Sequence, residues 1–287
     1  MCTRYLFPQQ PFYKVRLKFW ARLRLRDKIE VTVKMFLEED KFELLVNSSR
    51  SDTDYNFLSL KGGKFRIPPR EKKRFWRYYL RALDNQIDYN LVYVPDNTKT
   101  HFPITLDFDI VSRSDEVIPN DRMCGLTIAA VDAICTETQV FNDLQVFALR
   151  KPGHTKRTDG QYKSGCHLLV HGVLVSRHLA RKIRQRFLEM DFTREFIDEF
   201  AVTEPEELCD TSVCPLGKNG LVLAPQTKKN RSTHYFCFFT CEITKRHPVD
   251  IQEFDYETGT QFVRDNVDEI YKFVFETPDW PALGEVL

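Results

Sequence analysis

PITLDFDIVS, residues 103–112, alternates two kinds of side chain. Ile104, Leu106, Phe108 and Ile110 are apolar, and Thr105, Asp107 and Asp109 stand between them. A strand sends alternate residues to opposite faces, so the pattern predicts one buried face and one face that displays both carboxylates, about 6–7 Å apart. Adjacent negative charges gain nothing from an isolated strand. Two oxygen donors on one strand edge suit a hard divalent cation, Mg²⁺ or Mn²⁺. The plainer alternative is a strand end with two solvated acids.

Upstream of this strand, 48–54 reads as a polar loop, and Pro68-Pro69 opens a helix with Phe75, Trp76, Tyr79, Leu80 and Leu83 at helical spacing. A short β run covers 89–94, and a loop covers 95–100. Short strand-like runs are also expected at 29–37 and 42–46. Downstream, 123–138 is a helix candidate and 144–149 a strand. The basic segment RKPGHTKRTDGQYK (150–163) reads as a flexible loop before a second apolar strand, 166–175. Ser176 caps a long helix with Leu179, Ile183, Phe187 and Leu188 on one side. Another helix covers 193–200, and a turn falls at Glu204-Pro205. Short strands are expected around 208–214, 220–223 and 235–243, and an amphipathic helix over 262–275. The interleaving is α+β. Neither an internal repeat nor a G-x-x-x-x-G-K-[ST] loop is present, so the sequence encodes no P-loop motor.

The 287 residues carry a net charge of only +1, so the distribution of charge matters more than its total. Residues 1–34 hold nine Lys/Arg against two acids, and 61–81 hold nine more against Glu71 alone. Such asymmetry points to a face for a polyanion; a solvated helix face is the alternative for either run taken alone. No apolar run approaches the ~18 residues of a membrane span. The basic N-terminus lacks the apolar block of a signal peptide, so the expectation is an intracellular protein with its eight cysteines reduced. Cys209/Cys214 and Cys237/Cys241 lack the tight C-x2-C spacing of zinc knuckles and read as core cysteines.

Two further clusters carry chemical potential. Lys163-Ser164-Gly165-Cys166-His167 enters a strand, where Gly165 permits close backbone approach to a ligand. His167 alone reads as a satisfied core residue, but a cation-rich loop leading into Lys, Gly and His also suits a triphosphate. Asp210 stands in LCDTSV, and an apolar run, 221–223, leads on to Lys228 and Lys229, which suit phosphate oxygens.

In this order the parts resemble the archaeo-eukaryotic primase superfamily, and within it the primase domains of primase–helicases from poxvirus-type and related large DNA viruses. The resemblance spans roughly 55–250 and rests on Asp107-x-Asp109, then Lys163-x-Gly165-x-His167, then Asp210 and the basic pair; 60–80, LKGGKFRIPPREKKRFWRYYL, looks like the lead-in of that clade. Two departures stand out. Gly165 occupies the place where many members have Ser, with Ser164 one residue further back, and 224–227 lack the usual glycine and serine ahead of the basic residue.

The resemblance implies an RRM-like sheet presenting three aspartates, a second α/β unit and a cleft between them. It implies a basic N-terminal segment over 1–60, a catalytic core over 61–250 and a C-terminal helix and connector over 251–287. Asp107, Asp109 and Asp210 are then the catalytic ligands of two divalent ions. His167, Lys163, Gly165, Ser164 and Lys228 are expected at the incoming nucleotide, with Arg150 a weaker candidate. Lys72, Lys73, Arg74 and Arg77 are expected along single-stranded DNA template, with Trp20 or Trp76 as stacking platforms, although Trp76 also fits its helix's apolar stripe. The implied partners are template, nucleoside triphosphates and a helicase domain or subunit in the same or a partner chain, with no membrane. The implied setting is the host cytoplasm or nucleus of a virus.

Three other readings compete. A nucleotide-sugar transferase also uses Asp-x-Asp with Mn²⁺, but has no need of the Lys-x-Gly-x-His entry. A non-catalytic single-stranded-DNA-binding replication module has no use for three acids beside a polyanion. A repair-type polymerase of the same superfamily extends primers without starting them.

Overall fold

The computed structural model describes residues 45, 51, 53–60, 62–84, 89–201, 204–224, 234–275 and 278–285. The basic run at 1–34, Trp20 and the pair Lys228-Lys229 lie outside these residues. Leu45, the one described residue of the expected strand at 42–46, is helical and buried.

The fold is α+β, built on two sheets. The smaller contains β1 (Phe57–Ser59), β2 (Lys64–Phe65) and, after a 3-10 turn at Pro69–Glu71 and helix α1 (Lys72–Asp84), β3 (Leu91–Tyr93). The larger begins with β4 (His101–Ser112), followed by α2 (Asn120–Thr138), β5 (Asn142–Arg150), β6 (Thr155–Lys156) and β7 (Tyr162–Ser176). Two helices, α3 (Arg177–Glu189) and α4 (Asp191–Phe200), precede β8 (Leu221–Val222), which returns to the small sheet as its edge in the order β2-β1-β3-β8. The chain closes with β9 (Phe236–Thr244), β10 (His247–Glu253), α5 (Tyr256–Ile270) and β11 (Ala282–Leu283). In the large sheet β5 and β4 both pair antiparallel with β7, β9 and β10 extend the β5 side, β6 pairs with the start of β7, and β11 adds in parallel at Leu174–Val175.

Alternation along β4 and β7 sorts the two faces. Ile104, Leu106, Phe108, Ile110, Cys166, Leu168 and Val170 join the cluster beneath α2, α3 and α4. Leu169, Phe147 and Leu149 face the other way, into an aromatic cluster with α1, α5 and the small sheet. There Phe75, Trp76 and Tyr79 of α1 pack on one another, and Phe75 and Trp76 meet Phe275 and Tyr271 at ring separations of 5.4–6.0 Å. Each such side chain stabilises by about 1.5–3 kcal/mol on burial, so this stripe fixes α1. Trp76, at 4% exposure, is part of that core and is no stacking platform.

Several sequence expectations change. Ser176 does cap α3, its Oγ accepting from the Leu179 amide at 3.2 Å. The supposed loop at 150–163 folds back as a hairpin, with Thr155 opposite Lys163 and Lys156 opposite Tyr162. Helix α5 starts at Tyr256, six residues before its expected start, because Asp255 caps it by accepting from the Thr258 amide at 2.8 Å. The expected strand at 208–214 is reduced to two isolated bridges, Cys209 to Phe108 and Val213 to Asn219, with turns between and after them. Strand β1 pairs with β3, and near the end of the described residues Trp280 and β11 pack onto His171 and β7. The seven described cysteines are buried thiols. Among the described residues no helix is long and apolar enough to cross a membrane.

Candidate active site

Register assembles the site. Asp107 lies opposite His167, Asp109 opposite Gly165, and Val111 opposite Lys163. These odd-numbered residues share the face turned away from α2–α4. Lys163 Nζ reaches back along the strand to Asp109 Oδ2 at 2.6 Å, a short charge-assisted contact. His167 Nε2 stands 3.6 Å from Asp107 Oδ1, and both side chains are nearly enclosed. The His167 ring stacks on Tyr235 at 4.4 Å and 25°, and Lys151 Nζ lies 5.0 Å from the centre of the Tyr235 ring. A layered column results: acid, imidazole, phenol ring, ammonium.

Gly165 keeps this surface open. A Cβ there would lie 3.4 Å from the Phe108 carbonyl and 3.8 Å from Asp109 Oδ1, so a side chain would fill the space between Lys163 and His167. Two residues along β4 from Asp107, Thr105 lines a small apolar hollow with Tyr93, Pro103, Cys214 and Leu221.

Asp210 comes to this edge through its backbone. Its amide donates to the Asp107 carbonyl at 2.8 Å, and the Asp109 amide donates to the Leu208 carbonyl at 2.8 Å. These bonds flank the bridge between Phe108 and Cys209, so Asp210 stands beside Asp107 in antiparallel register. Its carboxylate is engaged locally: Oδ1 accepts from the Ser212 amide at 2.8 Å and Oδ2 from the Ser212 hydroxyl at 2.9 Å. Accordingly, among the described residues no group of three or more His, Cys, Asp or Glu side chains converges as a ready cation cage. The three acids are neighbours in backbone position, with Asp109 turned to Lys163 and Asp210 to Ser212.

The other expected residues are spread more widely. Ser164 lies opposite Ile110, a residue of the helical-side core, so alternation directs it away from Lys163, Gly165 and His167. Arg150 pairs in register with Cys166 and also belongs to the helical side. Its guanidinium donates to the Ile118 carbonyl at 3.1 Å and Asn120 Oδ1 at 3.2 Å, and lies 5.7 Å from the Phe238 ring. Burial lowers its pKa. Arg150 thus braces the start of α2 across the sheet from the acids. On α1, Lys72 pairs with Asp268 at 2.9 Å and Arg74 with Glu71 at 3.6 Å, while Lys73 and Arg77 are exposed.

Tyr235 was hidden in the sequence inside the aromatic run HYFCFFTC, which reads as core. Arg177 and Arg184 of α3, which hold the Asp210 segment, were equally hidden, because a basic helix reads as a solvated face.

An α+β domain whose sheet face sets Asp-x-Asp against Lys-x-Gly-x-His, with a third aspartate docked alongside, is of the archaeo-eukaryotic primase class, a superfamily of primase-type nucleotidyltransferases. Residues 56–237 match the family model described as the C962R protein N-terminal AEP domain, and the chain belongs to that family. The matched span runs from the residue before β1 into β9 and contains every acid and base of the site. Comparison with curated proteins finds no match.

Proposed function

We propose that this domain is a DNA-dependent primase that joins nucleotides on a single-stranded DNA template, with Asp107, Asp109 and Asp210 as ligands of two divalent cations, Mg²⁺ or Mn²⁺. The observation that carries the reading is the β4–β7 face, where two acids lie in register with His167 and Gly165 and beside Lys163. The donor set fits a hard cation, since carboxylate oxygens are the ligands such ions take. The Lys163 ammonium at Asp109 already stands in for positive charge there. Held by these acids, such cations would lower the pKa of an attacking 3′-hydroxyl and offset charge on the phosphoryl being transferred.

The chain's own residues then have distinct tasks. Lys163 leaves Asp109 and turns to the triphosphate. Asp210 exchanges Ser212 for the site. His167, fixed by its stack on Tyr235, presents its imidazole to phosphate oxygens, and Lys228 adds charge. Gly165 leaves the room these movements require. The exposed Lys73 and Arg77, with Arg74, track the template backbone. The partners of this reading are template, nucleoside triphosphates and a helicase in the same or another chain, at an intracellular replication site.

Primer synthesis on single-stranded DNA with Mg²⁺ or Mn²⁺ tests it. Asp107→Ala and Asp210→Ala are expected to lose synthesis by at least about a hundredfold, equivalent to ~2.7 kcal/mol in the barrier, while circular dichroism stays unchanged. Wild-type synthesis by either folded variant overturns the assignment. Scoring new starts separately from extension of a supplied primer distinguishes a primase from an extending polymerase of the same superfamily.

A further inference from the structure

Asp210 is the one acid of the three that no regular strand holds. Its segment leaves a 3-10 turn at Pro205–Glu207, bridges to Phe108, turns at Ser212 and folds back, with the Gly217 amide bonding the Val213 carbonyl and the Asn219 amide the Ser212 carbonyl, both at 2.8 Å. Toward β4 it is joined by the two amide bonds around Cys209 and by the Thr105 hydroxyl, which donates to the Cys214 carbonyl. The segment is held from its other side as well.

That side is α3. Arg184 Nε donates to the Cys209 carbonyl at 3.2 Å, and its Nη2 to the Glu206 carbonyl. One turn of chain past Asp210, Arg177 Nη1 donates to the carbonyls of Pro215, at 3.3 Å, and Gly217. Its Nη2 bonds Asn97 Oδ1 at 2.6 Å, and its plane sits 4.5 Å from the Phe102 ring. The two arginines are seven residues apart, hence on one face of the helix, two turns from each other. Carbonyls on both sides of Asp210 are therefore tied to one rigid rod. That rod starts at Ser176, the last residue of β7, the strand that carries Lys163, Gly165 and His167. The other cations of α3 behave differently: Arg181 and Lys182 are exposed, and Arg186 pairs with Glu137 at 3.1 Å.

We infer that Arg184, assisted by Arg177, is a positioning residue that sets the Asp210 carboxylate for cation binding, which couples the third acid to the strand bearing the phosphate-side residues. The inference rests on the metal-binding reading of Asp210 above. A guanidinium suits this place because its planar fork holds its donors pre-aligned to two carbonyls, whereas an ammonium on a flexible stem fixes them less well.

The test is Mn²⁺ affinity, read by electron paramagnetic resonance with a non-hydrolysable nucleoside triphosphate present, alongside circular dichroism and thermal melting. Arg184→Ala is expected to weaken Mn²⁺ binding about tenfold, Arg184→Lys about threefold, and Arg181→Ala, on the exposed face, not at all. In an Asp210→Ala background, Arg184→Ala is expected to add no further loss. If Asp210→Ala weakens Mn²⁺ and Arg184→Ala does not, or if their losses add in full, the positioning role is overturned while the metal reading stands. If Asp210→Ala itself leaves Mn²⁺ affinity unchanged, the metal reading falls first, and the positioning role with it. Should Arg184→Ala fail to fold, Arg184→Lys decides the same question.

Discussion

Lys163→Met removes the ammonium that lies 2.6 Å from Asp109 Oδ2. Before screening, a unit charge pair at about 4 Å and the effective dielectric of ~20 near a protein surface gains roughly 4 kcal/mol. The two side chains are 37% and 27% exposed, so water screens much of that, and pairs of this kind contribute about 0.5–1 kcal/mol net. The same energy opposes any cation that binds Asp109, because the ammonium must first be displaced. Lys163→Met is therefore expected to tighten Mn²⁺ binding about two- to fivefold without nucleotide. With nucleotide the sign reverses. Lys163 then serves the triphosphate, and losing a charge-assisted hydrogen bond of about 1.5–3 kcal/mol raises the nucleotide KM by about ten- to a hundredfold. Manganese titration of the nucleotide-free protein, paired with steady-state incorporation kinetics, reads both effects. If Mn²⁺ affinity without nucleotide falls or stays level, Lys163 is not holding the cation's place and the reasoning fails.

Gly165→Ala puts a methyl group 3.8 Å from Asp109 Oδ1 without a backbone clash, so the melting temperature should hold while incorporation falls by at least about tenfold; equal activity would mean that the space beside Asp109 is not used. His171 is buried among Phe147, Phe273 and Trp280, with its Nε2–H donated to the Ile270 carbonyl at 3.2 Å; burial first, then Lys272, lower its pKa from 6.5 to about 3. Between those values the unfolded chain holds a proton that the folded chain does not, so stability falls as pH drops from 6.5 toward 3, by up to about 1.4 kcal/mol per pH unit. His171→Leu should flatten that slope in acid-melting experiments while lowering stability at pH 7, and an unchanged slope would assign the acid sensitivity elsewhere. Lys73→Ala and Arg77→Ala, on the exposed side of α1, should each weaken single-stranded DNA binding and reduce the slope of log K against log salt by about 0.7, with no change in melting; unaltered slopes would place the template on another surface.

Local signals in the chain foretold those parts of the molecule that local physics controls. The alternation at 103–112 identified β4 and its acid-bearing face, the Phe75-Trp76-Tyr79-Leu83 stripe identified α1, and Ser176 marked the start of α3. The Asp255 cap is equally local, marked in the sequence by its D-x-x-T spacing. Other features depend on pairing between distant residues. Arg150 follows β5 and looks ready for phosphate, yet the one-residue parity of a strand sends it to the helical side. The segment around Asp210 resembled a strand because Leu208, Cys209 and Val213 are apolar, but the Asx turn at Ser212 and Pro215 break the run, and only the edge of β4 gives it a place. The arginine grip on that segment depends on contacts 22 to 40 residues apart in sequence, which no window on the sequence displays. Motif order carried the resemblance to the primase superfamily; register explains why those motifs meet.

Anomalous diffraction from crystals grown with Mn²⁺ and a non-hydrolysable nucleoside triphosphate measures the central claim directly. The account predicts manganese peaks within about 2.0–2.3 Å of oxygens from Asp107, Asp109 and Asp210, with Lys163 turned from Asp109 to the phosphates and Asp210 released from Ser212. Manganese bound elsewhere, or an Asp210 carboxylate still closed on Ser212 beside a bound nucleotide, would contradict it.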